Sequence, residues 1–132
     1  MTDLPAPTGR ELEILKVLWE CGPASVRVVY RQMLANQPEG KDLAYNTVQT
    51  LLRLMEDKGL VTHELIGRAF YYSASYSRDQ SAARFLDRVF DGAASELVLS
   101  LLQSERIGPE ELERVQQMIA DARKQRRTEG KP

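Results

Sequence analysis

The sequence predicts a mainly α protein with a small β-hairpin, and three observations carry that expectation. Apolar residues recur at helical spacing in six segments, most of them opened by a helix-start signal or closed by glycine. Two short runs rich in β-branched and aromatic residues, 60–66 and 69–73, flank the turn pair Gly67-Arg68. The hairpin they form falls after the third helical segment, so the order is three helices, hairpin, three helices.

Each element has a local reason. Thr8-Gly9-Arg10-Glu11 is a capping-box pattern in which Thr8 and Glu11 each satisfy an orphan backbone N–H. The helix that follows places Leu12, Leu15, Leu18 and Trp19 on one face and stops at Gly22-Pro23. Ser25 caps a second helix with Val26, Val29, Tyr30 and Met33 as its stripe, and the polar stretch from Asn36 to Asp42 reads as a loop. In the third helix Val48, Leu51, Leu52 and Met55 fix the core side, and Gly59 ends it. After the hairpin, Ser77-Arg78-Asp79-Gln80 is a second capping box, opening a helix with Ala82, Phe85, Leu86 and Val89 on one side. Asp91-Gly92 breaks it, and Ala94, Leu97, Val98, Leu101 and Leu102 form the next apolar face. Gly108-Pro109-Glu110-Glu111 starts the last helix, whose apolar positions Leu112, Val115, Ile119 and Ala122 are spaced like a short coiled-coil seam. The basic, polar stretch from Arg123 reads as a frayed tail.

Composition bounds the chemistry. The chain has 132 residues, 42% of them hydrophobic and 28% charged, which permits a packed core in one domain or two small modules. No apolar run is long enough for a membrane span, and Met1 to Pro5 lacks a basic stretch followed by an apolar core, so neither membrane insertion nor a secretory signal is expected. One cysteine and one histidine leave no disulfide framework, no Cys/His metal site and no evident catalytic triad. A cytoplasmic protein that is not an enzyme and carries no metal or cofactor is the expectation. The formal net charge of -1 does not announce nucleic acid either, so any DNA binding must rest on local placement of charge.

The third helix supplies that placement. Opposite its core stripe lie Asn46, Thr50, Arg53 and Asp57, flanked by Thr47 and Gln49. Amide, hydroxyl and guanidinium groups suit base-edge readout, and no acidic residue occurs from Leu43 to Arg53 to repel phosphates. The same pattern fits the solvated side of any amphipathic helix, but the hairpin directly after it makes a winged helix-turn-helix. Arg68 at the hairpin tip is then the wing contact. Ser25 and Arg27 at the start of the second helix suit a phosphate, or plain capping and solvation. Cys21 reads as a packed cysteine rather than a redox switch, and His63 as a solvated or hydrogen-bonded residue rather than a ligand or base. Trp19 and the Tyr71-Tyr72 pair sit at core-type positions.

The string from Leu43 to Leu54, followed by Lys58-Gly59-Leu60-Val61, resembles the recognition helix of the penicillinase-repressor (BlaI/MecI/CopY) family. Thr8 to Trp19 is similar to that family's first helix, Gly67-Arg68-Ala69-Phe70-Tyr71-Tyr72 to its wing, and Ser95 to Leu99 to part of its dimerisation helices. The likeness runs from about Thr8 to Arg123. It implies a winged-helix DNA-binding domain over 8–76, a three-helix dimerisation domain over 77–127, and flexible tails at 1–7 and 128–132. It further implies a homodimeric repressor of a dyad-symmetric double-stranded operator, with Tyr45, Asn46, Thr47, Gln49, Thr50 and Arg53 on the recognition helix. The dimer would use Phe85, Leu86, Val89, Leu97, Leu101, Leu112, Val115 and Ile119. In the family, a membrane metallopeptidase sensor relieves repression by cutting the dimerisation domain, commonly between Asn and Phe, in the best-known systems as an antibiotic response. The matching pair here is Ser100-Leu101. The family's copper-responsive branch carries a C-terminal cysteine cluster, and this chain has no cysteine after Cys21. A dimeric winged-helix adaptor that binds protein rather than DNA is the alternative that the near-neutral charge leaves open.

Overall fold

The computed structural model describes residues 6–37 and 42–130. The elements are α1 (Gly9–Cys21), β1 (Ala24–Ser25), α2 (Val26–Asn36), α3 (Tyr45–Asp57), β2 (Val61–Ile66), β3 (Ala69–Ala74), α4 (Arg78–Phe90), α5 (Ala94–Gln103) and α6 (Pro109–Thr128). The middle of the loop expected between Asn36 and Asp42, and most of the two tails, lie outside the described residues. The chain divides into two compact units, Met1–Ala82 and Ala83–Pro132.

The first unit holds the core. Ile14, Leu15, Val17 and Leu18 of α1, Val29 and Met33 of α2, and Val48, Leu52 and Met55 of α3 are all buried. They pack with Leu60, Val61 and Tyr72 from the sheet and its approach. The α1 face is rotated from the sequence expectation. Leu12 is exposed and Trp19 only partly covered, whereas Ile14 and Val17 are inside. The cause is Glu11, which is itself buried and turns the helix so that positions 11, 14, 15 and 18 face inward. Cys21 is exposed rather than packed, because it ends α1 on the side away from that face.

The sheet has three antiparallel strands in the order β1-β3-β2, one more than the hairpin expected. Ala24 pairs with Tyr72 and Ser25 with Tyr71. A two-residue strand is too short for periodicity to reveal. The β2–β3 ladder runs from Val61↔Ala74 to Ile66↔Ala69 and closes through Gly67-Arg68. Gly67 has φ +65° while Arg68 keeps a negative φ, the arrangement of a type II′ turn with glycine at its first central position. The end of α3 is equally well determined. Leu60 N–H donates to Met55 O at 2.9 Å and Gly59 N–H to Glu56 O at 3.0 Å, a Schellman motif around Gly59 at φ +86°.

In the second unit Ser77 and Gln80 form the expected reciprocal cap at 2.8 and 3.0 Å. No residue of α4, α5 or α6 is buried. The last helix does not fray at Arg123 but continues to Thr128. Arg126 and Arg127 in its last turn complement the negative end of the helix dipole, and Thr128 Oγ1 donates to Gln125 O at 2.8 Å.

Candidate nucleic-acid interface

The recognition-type helix α3 enters from Leu43, which is buried and pins the approach, and its N-cap Ala44 makes no side-chain bond. Burying Val48, Leu52 and Met55 turns Tyr45, Asn46, Thr47, Thr50 and Arg53 to solvent, with Gln49 half-buried at the edge. Among the described residues of this face the acid Asp57 comes only at the helix's end. The first turn therefore presents donors and acceptors with no countercharge, which is the chemistry that base edges recognise.

Two contacts hold this helix against its neighbours. Tyr45 meets Tyr30 of α2 edge to face, with ring centroids 5.7 Å apart, so its phenol is oriented at the helix start. At the other end both carboxylate oxygens of Glu56 lie within 2.7 and 2.8 Å of His63 Nδ1 on β2. The imidazole also packs on Phe70, at 4.7 Å, and Tyr72, at 5.5 Å. The hydrogen-bonded role expected of His63 is thus a tie between the hairpin and α3. Burial holds the Tyr72 phenol above its ordinary range, with the Glu56 carboxylate adding to the shift and Arg53 opposing it.

A third tie runs to α1. Lys58 Nζ, just past α3, lies 2.8 and 3.0 Å from the two carboxylate oxygens of Glu11, and Thr8 N–H donates to the same carboxylate at 2.9 Å. Burial alone would raise the Glu11 carboxyl. The Lys58 ammonium and the Thr8 bonds outweigh it and hold the group below its ordinary 4.5.

The remaining predicted positions are spread over the same unit. Arg68 is exposed at the hairpin turn, beside the exposed side chains of Leu65, Ile66 and Phe70. Arg27 is exposed in the first turn of α2. Ser25 accepts from Val28 N–H at 3.3 Å, so its lone pair serves as a cap. Sequence reasoning passed over Arg31, which is exposed four residues after Arg27 and therefore on the same side of α2. That spacing was the available signal. The positions expected at a dimer interface lie in the second unit. Phe85, Val89, Leu101, Leu112 and Ile119 are exposed, and Leu86, Leu97 and Val115 half-buried. Ser100 and Leu101 are both exposed near the end of α5, where Ser104 N–H bonds to Ser100 O and Ser104 Oγ to Leu101 O. Among the described residues no three His, Cys, Asp or Glu side chains are grouped to hold a metal, and no helix is long and apolar enough to cross a membrane.

The family model of the penicillinase repressor matches residues 7–121. The chain belongs to the penicillinase repressor family. This is a family of DNA-binding transcriptional repressors, not of enzymes. The chain is 24% identical over 125 residues to the penicillinase repressor of Bacillus licheniformis, covering 92% of this chain and 94% of that one. It is 23% identical over 113 residues to the methicillin resistance regulatory protein MecI of Staphylococcus aureus, covering 83% and 89%. The solution structure of the DNA binding domain of the repressor BlaI superimposes with a TM-score of 0.50 at 25% identity, over 61% of this chain and 93% of that domain. Penicillinase repressors are thus similar to this chain along most of their length, and the winged helix is the part shared with a solved DNA-binding domain.

Proposed function

We propose that the chain is a dimeric, sequence-specific repressor that reads one half of a dyad-symmetric operator with each winged helix, acting in the cytoplasm. The observation that supports this best is the outward face of α3, where Asn46, Thr50 and Arg53 stand exposed while the hairpin is tied alongside by the Glu56–His63 pair. In this reading Tyr45, Asn46, Thr47, Gln49, Thr50 and Arg53 meet base edges. Arg27, Arg31 and Arg68 meet phosphates, and Ser25 donates its hydroxyl there while capping α2. Residues 8–76 bind DNA and 77–127 dimerise, with the exposed apolar side chains of α4, α5 and α6 as the interface. Selection of duplexes from a random library, followed by gel-shift titration, tests the reading. A palindromic consensus bound by two chains is expected, and the absence of any enriched sequence overturns it.

Relief of repression by a membrane metallopeptidase is assigned to Ser100-Leu101. The bond lies near the exposed end of α5, where helix ends open most readily to a protease. Cutting there would divide the apolar side chains of α5 and loosen the dimer, so each winged helix would hold its half-site alone. Mass spectrometry of the protein from induced cells decides. Fragments ending at Ser100 are expected, and intact chain during full derepression refutes the route.

A further inference from the structure

The last helix carries a side-chain stripe that complements itself when run in the opposite direction. We propose that two copies of the chain pair α6 against α6 antiparallel, an inference that rests on the dimeric reading above.

At 100° per residue Leu112, Val115, Ile119 and Ala122 line one side of α6, with Met118 at its edge. Met118 is 64% exposed and Ile119 51%, so the stripe has no cover within the described chain. The far side is polar, and there Gln117 Nε2 donates to Asp121 Oδ1 at 3.0 Å. Two charged residues stand within the apolar sector, Glu111 in the first turn and Arg126 in the last. Arg126 Nη1 donates to Ala122 O at 3.4 Å, one turn back, which lays its stem along the stripe. The helix dipole accounts for an acid at the start and a base at the end. It does not account for both lying on the apolar side.

Orientation follows from those two charges. A parallel pair would set Glu111 against Glu111 and Arg126 against Arg126. An antiparallel pair brings Glu111 of each copy near Arg126 of the other, twice by the two-fold axis. The same register sets Leu112 beside Ala122 and Val115 beside Ile119 of the second copy, larger against smaller, with Met118 close to its own mate. The rest of the helix agrees, with Glu110 and Glu113 in one half against Arg123, Lys124 and Arg127 in the other. Other occupants fit worse. A bilayer surface favours a basic polar face, and DNA would meet the same glutamates, so a second copy is the partner whose charges match.

Cross-linking of the full chain tests the orientation. With the exposed thiol removed by Cys21→Ser, Leu112→Cys and Ala122→Cys chains are oxidised separately and mixed, beside sedimentation of each. The two positions are about 15 Å apart along the helix, and a disulfide needs Cα atoms within about 7 Å. Covalent dimer in the mixture alone is expected. Strong cross-linking of Leu112→Cys by itself means a parallel pair and overturns the proposal. A dimer that sediments as such but does not cross-link in the mixture overturns it while sparing the dimeric reading, and a monomer overturns both. A charge-reversal series gives an independent readout. Glu111→Arg and Arg126→Glu should each weaken self-association about tenfold, and the double variant should restore it. A double variant no better than the singles also overturns the antiparallel pairing.

Discussion

The indole Nε1 of Trp19 donates a 2.8 Å hydrogen bond to the main-chain carbonyl of Tyr76. The contact joins the last turns of α1 to the point where β3 gives way to α4, and the Arg78 guanidinium lies 5.4 Å above the same ring. Tyr76 is buried, so its carbonyl has few alternatives to this donor. Trp19→Phe keeps an aromatic ring but removes the bond. Urea unfolding followed by circular dichroism should show a loss of about 1–2 kcal/mol, with affinity for an isolated half-site unchanged at temperatures where the protein remains folded. Unaltered stability would mean that the ring packs without the bond mattering.

The Glu11–Lys58 pair has a pH signature. Because the folded-state carboxyl is held below its ordinary 4.5, its contribution is present above that value and lost as pH falls through the folded one. Glu11→Gln should cost about 2 kcal/mol at pH 7, and the gap from the parent protein should close on acidification below 4.5. A gap that is constant with pH would show that packing, not charge, is responsible.

Readout by α3 is tested by specificity rather than affinity. Asn46→Ala, Thr50→Ala and Arg53→Ala should each weaken binding to the selected operator by about 1–3 kcal/mol and leave random duplex nearly untouched. Equal losses on both duplexes would argue against direct base contact.

The backbone contacts should behave in the opposite way. Arg27→Ala, Arg31→Ala and Arg68→Ala should weaken all duplexes alike, each lowering the slope of log affinity against log salt by about one. A slope identical to the parent protein's at any of these positions removes that residue from the phosphate set.

Much of this molecule was legible in the sequence because local signals agreed with the tertiary outcome. The Thr8/Glu11 and Ser77/Gln80 boxes, the Gly59 stop and the Gly67-Arg68 turn each specify backbone geometry within a few residues. The outward face of α3 followed from Val48, Leu52 and Met55, whose burial dictates what lies opposite. What the sequence hid depends on distant partners. Burial of Glu11 needs Lys58, 47 residues away, and nothing in the local pattern of α1 announces a charged residue turned inward. The strand at Ala24–Ser25 exists only because Tyr71 and Tyr72 offer it an edge. The pairing of His63 with Glu56 likewise needs the hairpin folded back on α3.

The absence of any buried residue in α4, α5 and α6 has a consequence for protein turnover. Hydrophobic burial is what opposes chain entropy, and a segment with no interior must take that stabilisation from another molecule. Ordering of these helices is then second order in protein concentration. Newly made chains at low abundance would spend much of their time with α4, α5 and α6 open to general proteolysis, whereas accumulated chains would shelter one another. Degradation would therefore fall as synthesis rises, and the cellular level of the protein would respond to its own expression more steeply than in direct proportion.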